Sequence, residues 1–463
     1  MTDHRLLWAP RAWIAGAWCD AVLLHVGADG CWAEVVPGTP APPRATVLPG
    51  PVLPGLVDAH SHAFQRAFAG LAERRSGEHD DFWSWRDRMY GVALRITPDE
   101  LRAVAAQLYA ELLGGGYTQV CEFHYLHHAT DGTPYADPLA MSRALADAAA
   151  DAGIGLTLLP VLYERAGFAQ PALRDDQRRF KTAVDAVLRL RDGARAWNLP
   201  QVSAGVAIHS LRAASAASIQ ALARRVEDDA GPIHIHIAEQ AGEVADCLAA
   251  TGARPIEWLA REVPLDARWQ LVHATHATPT EIGAVGRTGA GVVLCPTTEA
   301  NLGDGLADLP GWLASGAALS LGSDSQVSRS WTEEMRWLEY GQRLQRQQRN
   351  VAAAPDRGLD STAAHLLQRT LAGGAAAAGF QRWGLEAGAR ADLLVLDTAV
   401  PGLLGVPASH MLDALVFATD TPTFSQVWVA GRQVVAAGGA RARVETSQRF
   451  LEAMRSLWGL VPD

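Results

Sequence analysis

Short apolar runs recur through the middle of the chain, and amphipathic helical patterns lie between them. The predicted strands are residues 55–58, 119–123, 155–161, 204–208, 233–237, 270–272, 291–294 and 318–321. The predicted helices between them include residues 98–113, 141–152, 215–229, 241–251 and 279–285. Eight apolar runs, each followed by a crossover, make a parallel sheet that can close on itself. The pattern therefore predicts an α/β fold of the (β/α)8, or TIM-barrel, type.

An open, doubly wound α/β sheet is the alternative fold. Such a sheet requires a glycine-rich, phosphate-binding turn after its first strand. The first predicted strand instead reads PGLVDAHSH, which contains no such turn. The closed barrel is therefore the favoured prediction.

A second set of short β signals lies at the two ends of the chain. Apolar runs broken by glycine and proline are typical of a small sheet, and they occupy residues 21–26, 32–36, 45–48, 391–397 and 427–435. We expect both ends to build one small β-sandwich domain. The predicted division is a sandwich from residues 1–53 and 385–440, a barrel over 54–384, and a C-terminal helical tail over 441–463.

The side chains that could bind a metal fall at the ends of the predicted strands. They are His60 and His62 after the first strand, His209 after the fourth, His236 in the fifth, His273 after the sixth and Asp324 after the eighth. In a (β/α)8 barrel the carboxyl ends of all strands meet at one face, so we expect these groups to converge. Three histidines with one carboxylate suit Zn²⁺, with Fe²⁺ or Mn²⁺ as alternatives.

The motif HIHIAEQ leaves two candidates for the third histidine ligand. His234 and His236 are two residues apart and share one face of the strand. His236 is the preferred ligand because it lies at the strand end. Glu239, three residues further on, is then the acid closest to a metal-bound water and the predicted proton shuttle.

The composition of the chain argues against some classes of binding partner. Hydrophobic residues make up 49% of the chain and charged residues 19%, and the net charge is −10, so we expect a globular protein with no general affinity for nucleic acid or anionic membranes. The opening MTDHRLLWAPRAW resembles no signal peptide, and we see no run that would span a membrane. Five cysteines without a CxxC pair fit the cytoplasm.

The chain resembles the amidohydrolase superfamily in the segments PGLVDAHSH, HIHIAEQ, LVHATHA, LGSDS and GLEAGARADLLVLD. The resemblance implies the barrel and terminal sandwich described above, a bound divalent metal and a homodimer. Two-metal members carry a carboxylated lysine after the fourth strand, where this chain has VAIHS, and its one lysine is Lys181. A single-metal deaminase is therefore implied, with His60, His62, His236 and Asp324 as ligands.

Within that branch, the segments HSHAFQRAFAG, FWSWRDRMY, EFHYLHH, IHSLRA and CPTTEANLGDG resemble deaminases of a linear amidine. The implied reaction converts N-formimidoyl-L-glutamate and water to N-formyl-L-glutamate and ammonia, a step of histidine degradation. The implied substrate contacts are Gln65, Arg86, Tyr125, His209 and Arg212. A small dianionic substrate fits two arginines, because a guanidinium grips a carboxylate with paired hydrogen bonds.

We expect Glu239 and His273 to orient the attacking water. Asp324 is expected to bind the metal and also to accept a proton from that water. The nearest alternative is a deaminase of the same branch acting on a guanine-, pterin- or adenosine-like heterocycle. A chlorohydrolase or amidase would use the same metal. A catalytically inactive barrel serving as a scaffold is the remaining alternative, and the complete set of metal-capable side chains counts against it.

Overall fold

The computed structural model describes residues 5–75, 82–420, 423–436 and 440–459. Its strands in this part of the chain are β1 (Arg5–Ile14), β2 (Ala17–Val26), β3 (Trp32–Val36), β4 (Thr46–Val47), β5 (Val52–Pro54), β6 (Leu56–Ser61), β7 (Tyr117–His124), β8 (Gly155–Leu162), β9 (Val202–Ala204), β10 (Val206–Ile208), β11 (Ile233–Ile237), β12 (Trp269–His273), β13 (Gly291–Leu294), β14 (Ala318–Leu321), β15 (Leu393–Leu396), β16 (Phe424–Val429) and β17 (Arg432–Val435).

The α-helices in the same residues are α1 (Phe82–Ala93), α2 (Pro98–Gly114), α3 (Ala140–Ala152), α4 (Val184–Ala196), α5 (Ala216–Arg225), α6 (Ala241–Thr251), α7 (Pro255–Glu262), α8 (Pro279–Thr288), α9 (Pro296–Leu302), α10 (Leu309–Ser315), α11 (Trp331–Arg346), α12 (Thr362–Ala378), α13 (Met411–Phe417) and α14 (Ala440–Trp458). Short 3-10 turns lie at Ala63–Ala67, Asp175–Phe180, Pro355–Arg357 and Ala408–His410.

The larger sheet is the predicted barrel. Its strands pair in parallel in the order β6, β7, β8, β10, β11, β12, β13, β14, and β9 adds to the side of β8. Strands buried on both faces need apolar residues throughout, which is why β8 reads GLTLLPVL and has no exposed position. The barrel fold is confirmed, and seven of the eight predicted strand positions coincide with a single strand of the sheet.

The first and last barrel strands meet at their carboxyl ends, where Ser61 and Asp324 form a parallel bridge. The amide of Asp324 donates to the carbonyl of His60 at 2.9 Å, and the amide of His62 donates to the carbonyl of Asp324 at 3.2 Å. These bonds close the barrel through backbone atoms of predicted metal ligands, so ring closure and site geometry depend on the same residues.

Helix α12 covers the seam between the first and last barrel strands, since it packs against both β14 and β6. The close approach requires glycine, because a Cβ on Gly373 would stand 2.0 Å from the carbonyl oxygen of Leu319. The helix ends near the barrel interior, where Ala377 packs with Ala59, Val272 and other buried residues. The last barrel helix therefore packs closely across the place where the sheet closes.

The two ends of the chain form one mixed sheet, as predicted. Its order is β17, β16, β15, β5, β1, β2, β3, and β4 lies beside β1. The apolar pattern missed β1, because Pro10 and Arg11 interrupt its run, and missed β5, which has 3 residues. Helix α14 lies in the segment expected to form the C-terminal tail, of which residues 460–463 are outside the described part of the chain, and it packs against α2. Among the helices in the described part of the chain, none combines the length and the apolar character needed to cross a lipid bilayer.

Candidate metal centre and active-site cavity

The predicted metal-binding side chains converge at the carboxyl end of the barrel. His60 lies in β6, His236 in β11 and His273 at the end of β12, while His62 and Asp324 follow β6 and β14 directly or closely. All five are buried. His273 and Asp324 have left-handed backbones, with φ of 69° and 47°, a conformation that costs free energy and is concentrated at functional sites.

The imidazole nitrogens of three histidines point at one another. The Nε2 atom of His60 lies 2.9 Å from Nε2 of His236 and 3.2 Å from Nε2 of His62. Oδ1 of Asp324 lies 3.5 Å from Nε2 of His60 and 3.4 Å from Nε2 of His62. These four side chains are the predicted ligand set, and they surround one point.

The hydrogen bonds of the same rings indicate what that point holds. Nδ1 of His62 lies 3.0 Å from the carbonyl of Phe123, and Nδ1 of His236 lies 2.9 Å from the carbonyl of His209. A carbonyl accepts only, so each Nδ1 carries the proton and each Nε2 presents a lone pair. Both lone pairs face Nε2 of His60, at 3.2 Å from His62 and 2.9 Å from His236, and the carboxylate of Asp324 lies beside them. The donor set therefore fits a divalent metal.

Burial keeps these histidines in the neutral form that binds metal. Burial and the neighbouring imidazoles lower the pKa of His62 to about 3, and they hold the pKa of His60 and of His236 well below the ordinary value. Metal ligation by histidine requires a neutral ring. The site is therefore ready to bind metal without first losing protons.

The structure separates the two histidines of HIHIAEQ. His234 is buried two residues deeper in the barrel, and its Nε2 donates to the carbonyl of Ala377 at 2.8 Å. His236 alone of the two reaches His60 and His62. The preference for His236 over His234 agrees with this geometry.

Glu239 and His273 lie beside the predicted ligands. Nε2 of His273 is 3.9 Å from Oε1 of Glu239 and 3.8 Å from Oδ2 of Asp324. Burial raises the pKa of Glu239 to about 7, against the attraction of His273 and Arg212. Burial opposes the charge of His273, but Glu239 and two other carboxylates outweigh it and raise its pKa to about 10. A carboxyl group with a pKa near 7 can both accept and return a proton at neutral pH.

A cavity open to solvent lies over these groups, and the space within it and at its mouth amounts to about 520 Å³. Its wall includes the predicted ligands His62, His236 and Asp324, together with Glu239 and His273. All five predicted substrate contacts line the same cavity, namely Gln65, Arg86, Tyr125, His209 and Arg212. Six lining residues had no predicted role, namely Trp85, Met89, Tyr90, Tyr163, Phe180 and Leu302.

Two hydrogen bonds hold polar side chains of the cavity wall in place. Nε2 of Gln65 donates to the hydroxyl of Tyr125 at 3.1 Å, which orients both side chains. His209 follows β10, and its carbonyl accepts from Nδ1 of His236 at 2.9 Å. The predicted substrate contact at the fourth strand is therefore tied to the predicted metal ligand at the fifth.

Arg86 and Arg212 bring positive charge to the cavity from two different segments. Arg86 lies in α1, with its guanidinium 5.6 Å from the ring centre of Tyr90. Burial opposes the charge of Arg212, but the carboxylates of Glu243 and Glu239 help raise its pKa above the ordinary value. The pKa of His209 is held well below its usual range, first by burial and then by Arg212 and Arg86 among other neighbours. The positive charges of both arginines are therefore felt at His209, in the wall of the same cavity.

Sequence reasoning missed three buried carboxylates beside the site. Glu299 lies 3.3 Å from Nδ1 of His273. Asp304 accepts from Gln240, and burial raises its pKa to about 9. Glu243 accepts from the amides of Ala238 and Glu239 at 3.2 and 3.1 Å. The segment CPTTEANLGDG carried Glu299 and Asp304, but a single acid in a helix or loop offers no spacing that reveals a buried partner.

A family profile described as the Amidohydrolase family matches residues 52–434, which include the whole barrel and the site. The chain belongs to the amidohydrolase family. This amidohydrolase is 45% identical to the formimidoylglutamate deiminase of Pseudomonas aeruginosa over 452 residues, which cover 97% of this chain and 99% of the relative.

Solved structures agree with that assignment. A crystal structure of an amidohydrolase from Brucella melitensis matches with a TM-score of 0.92 at 40% identity, covering 98% of this chain and 100% of that one. An adenosine deaminase from Xanthomonas campestris, solved with bound zinc, matches with a TM-score of 0.79 at 23% identity over 97% of this chain and 98% of that one. The second likeness shows the shared fold.

Proposed function

We propose that this amidohydrolase is a formimidoylglutamate deiminase, which hydrolyses N-formimidoyl-L-glutamate to N-formyl-L-glutamate and ammonia. One observation carries the proposal: Arg86 and Arg212 line the same cavity as the predicted metal ligands and Glu239. The 45% identical relative, named for this activity and matched over 97% of this chain, supports it.

The charges of the cavity match the substrate. N-formimidoyl-L-glutamate has two carboxylates and a cationic amidine. Guanidinium groups bind carboxylates with paired, charge-assisted hydrogen bonds, so Arg86 and Arg212 suit the two anionic ends. The acidic side of the cavity, with Glu239 and Asp324, suits the cationic formimidoyl group. The substrate thus has its reacting carbon towards the metal donors and its carboxylates towards the arginines.

The metal is zinc in this proposal, bound by His60, His62, His236 and Asp324. Three nitrogens and one carboxylate oxygen form a donor set that zinc prefers. A single ion is expected, because Lys181, the one lysine of the sequence, has an exposed side chain on the loop after the 3-10 turn Asp175–Phe180. A bound divalent metal supplies a water of strongly lowered pKa.

The chain's own residues then move the protons. Glu239 takes a proton from the attacking water, while Nε2 of His273 holds the water's oxygen against the formimidoyl carbon. The oxygen bonds to that carbon and gives a tetrahedral centre. Glu239 returns its proton to the terminal nitrogen, the carbon–nitrogen bond breaks, and ammonia leaves with the formyl product behind. Asp324 accepts the second proton, from the hydroxyl of the tetrahedral centre, as the carbon–oxygen double bond of the formyl product forms.

The setting proposed for the enzyme is the cytoplasm, as part of histidine degradation. Its five cysteines are all free thiols, in keeping with a reducing compartment.

A homodimer is the proposed assembly. Light scattering coupled to size-exclusion chromatography measures the mass directly, and a monomer would contradict that proposal.

The activity is tested by ammonia release from N-formimidoyl-L-glutamate, with zinc-loaded protein and with chelator-treated protein. N-formimidoylglycine, which lacks the second carboxylate, is the matched control substrate. We expect turnover that depends on metal and a kcat/KM at least about 10-fold lower for the control, because one charge-assisted contact contributes roughly 1.5–3 kcal/mol. Equal kcat/KM values for the two substrates would contradict the dianion assignment.

The same assay includes the heterocyclic alternatives adenosine, guanine and a pterin. Five aromatic rings line the cavity, from Trp85, Tyr90, Tyr125, Tyr163 and Phe180, so a flat substrate is a reasonable rival. Flat, neutral rings supply no carboxylate for either guanidinium to bind. Ammonia release from a heterocycle, with none from N-formimidoyl-L-glutamate, would replace the proposed function with the rival.

A further inference from the structure

Behind the catalytic cavity, the carboxylate of Glu299 contacts the far side of the His273 ring. Oε1 of Glu299 lies 3.3 Å from Nδ1 of His273, and the same oxygen accepts from the amide of Cys295 at 2.9 Å. The amide of Glu299 in turn donates to the carbonyl of Cys295 at 2.9 Å. Glu299 is buried in helix α9, so its carboxylate is held at a fixed place.

This contact sets which nitrogen of His273 faces the chemistry. A carboxylate accepts hydrogen bonds, so Nδ1 of His273 carries a proton that it donates to Glu299. Nε2 then faces Glu239 at 3.9 Å and Asp324 at 3.8 Å. His273 is the last residue of its strand and has a left-handed backbone, so regular strand geometry does not determine where its ring points. A hydrogen bond at Nδ1 fixes the orientation of the ring and so the direction in which Nε2 points.

We infer that Glu299 is a positioning residue for the deamination, and that it acts by holding Nδ1–H of His273 so that Nε2 meets the attacking water. Glu299 does not appear among the residues that line the cavity, so it acts through His273 and not on substrate. The inference rests on the proposed function for the choice of substrate.

The competing explanation is that Glu299 only stabilises the start of helix α9 through the Cys295 amide. Helix α9 offers a matched control for this explanation. Glu334, in helix α11, is another fully buried carboxylate. It accepts from the amide and the hydroxyl of Thr297, a residue of α9, at 3.0 and 2.6 Å. Loss of Glu334 therefore disturbs α9 in a similar way while leaving the His273 contact in place.

A double-mutant cycle with H273N, E299A and the combined variant separates the two explanations, with kcat and KM measured on N-formimidoyl-L-glutamate. We expect E299A to lower kcat by about 10- to 100-fold with KM within about twofold, as is typical when a residue that orients a site histidine is removed. In the combined variant, E299A should add nothing to the loss from H273N. E334A should leave kcat within about threefold. Independent, multiplicative losses in the cycle would overturn the inference.

Two further measurements keep the inference decidable. E299Q preserves an oxygen acceptor and the helix contact, so its kcat should lie between those of the wild type and E299A, even if E299A folds poorly. Nitrogen-15 NMR of histidine-labelled wild-type protein, with H273N to assign the signal, reports the protonation of each ring nitrogen without any substrate. A protonated Nδ1 on His273 is expected, and an unprotonated Nδ1 would overturn the inference even if the proposed substrate proved wrong.

Discussion

The Nε2 atoms of His60 and His236 lie 2.9 Å apart, although 176 residues separate the two histidines in the chain. The folded barrel holds them together through β6 and β11, which are not neighbours in the sheet. Nε2 of His236 presents a lone pair toward Nε2 of His60, because its Nδ1 donates to the carbonyl of His209. We therefore expect both rings to bind the same metal ion.

Replacing His236 by alanine should abolish metal binding, while replacing His234 should not. His234 shares a strand with His236 but donates to the carbonyl of Ala377 instead of facing the site. The H234A variant should keep one metal per chain and lose about 1–3 kcal/mol of unfolding free energy, because a buried carbonyl is left without its donor. Metal analysis after dialysis, with urea unfolding, tests both parts. Metal loss in H234A alone would reverse the ligand assignment.

Replacing Glu239 by glutamine should leave metal content unchanged and lower kcat by about 10²- to 10⁴-fold, the usual contribution of general acid–base catalysis. The amide keeps the shape of the side chain but cannot take a proton from water. Steady-state ammonia release on zinc-loaded protein measures the effect. A glutamine variant with nearly normal kcat would remove Glu239 from the proton transfer.

Replacing Arg212 by methionine should raise KM for N-formimidoyl-L-glutamate by about 10- to 100-fold, because one charge-assisted contact to a carboxylate is lost. Methionine retains much of the apolar stem and so limits collapse of the cavity wall. Arg225 is the matched control, since its exposed guanidinium pairs with Asp185 at 2.9 Å away from the cavity. The R225M variant should keep the wild-type KM. If KM stays unchanged in R212M, Arg212 has no part in carboxylate binding.

The ion pair between Asp229 and Arg195 should make stability depend on acid pH. Arg195 donates to both oxygens of Asp229 at 2.6 and 2.8 Å, and this contact lowers the pKa of Asp229 to about 2 from an unfolded value near 4. A depressed folded-state pKa stabilises the protein above pH 4, and that contribution disappears as the pH falls through 2. Solvent screens this partly exposed pair, so we expect about 1 kcal/mol.

The measurement is urea unfolding of wild type and D229N from pH 7 down to pH 3, with metal removed from both. Removing the metal eliminates the separate effect of protonating the histidine ligands. The difference between the two proteins should be constant above about pH 5 and shrink below pH 4. A difference that stays constant over the whole range would show that the charge of Asp229 contributes nothing.

Much of the fold was predictable from the sequence because buried parallel strands must be apolar at successive positions. The pattern located β8, β11, β13 and β14 within one or two residues. It failed for β1, where Pro10 and Arg11 interrupt an otherwise apolar run, because pairing with β2 and β5 overrides the weak local signal. Helix α5 ends at Arg225, whereas the prediction extended it to residue 229. The amphipathic pattern continues past Arg225, but residues 226–228 form a turn.

For the site, the sequence by itself determined which side chains are available at the carboxyl ends of the strands. Each buried strand is a continuous apolar run, so the polar residue that follows the run marks its end. The sequence left His234 and His236 as alternatives, because residues two apart share a strand face. Only the tertiary structure distinguishes them, because His234 donates to the carbonyl of Ala377 in α12 while His236 faces His60. The tertiary structure likewise brings Glu299 to His273, because β13 pairs beside β12 and leads directly into α9, and this contact leaves no local spacing in the chain.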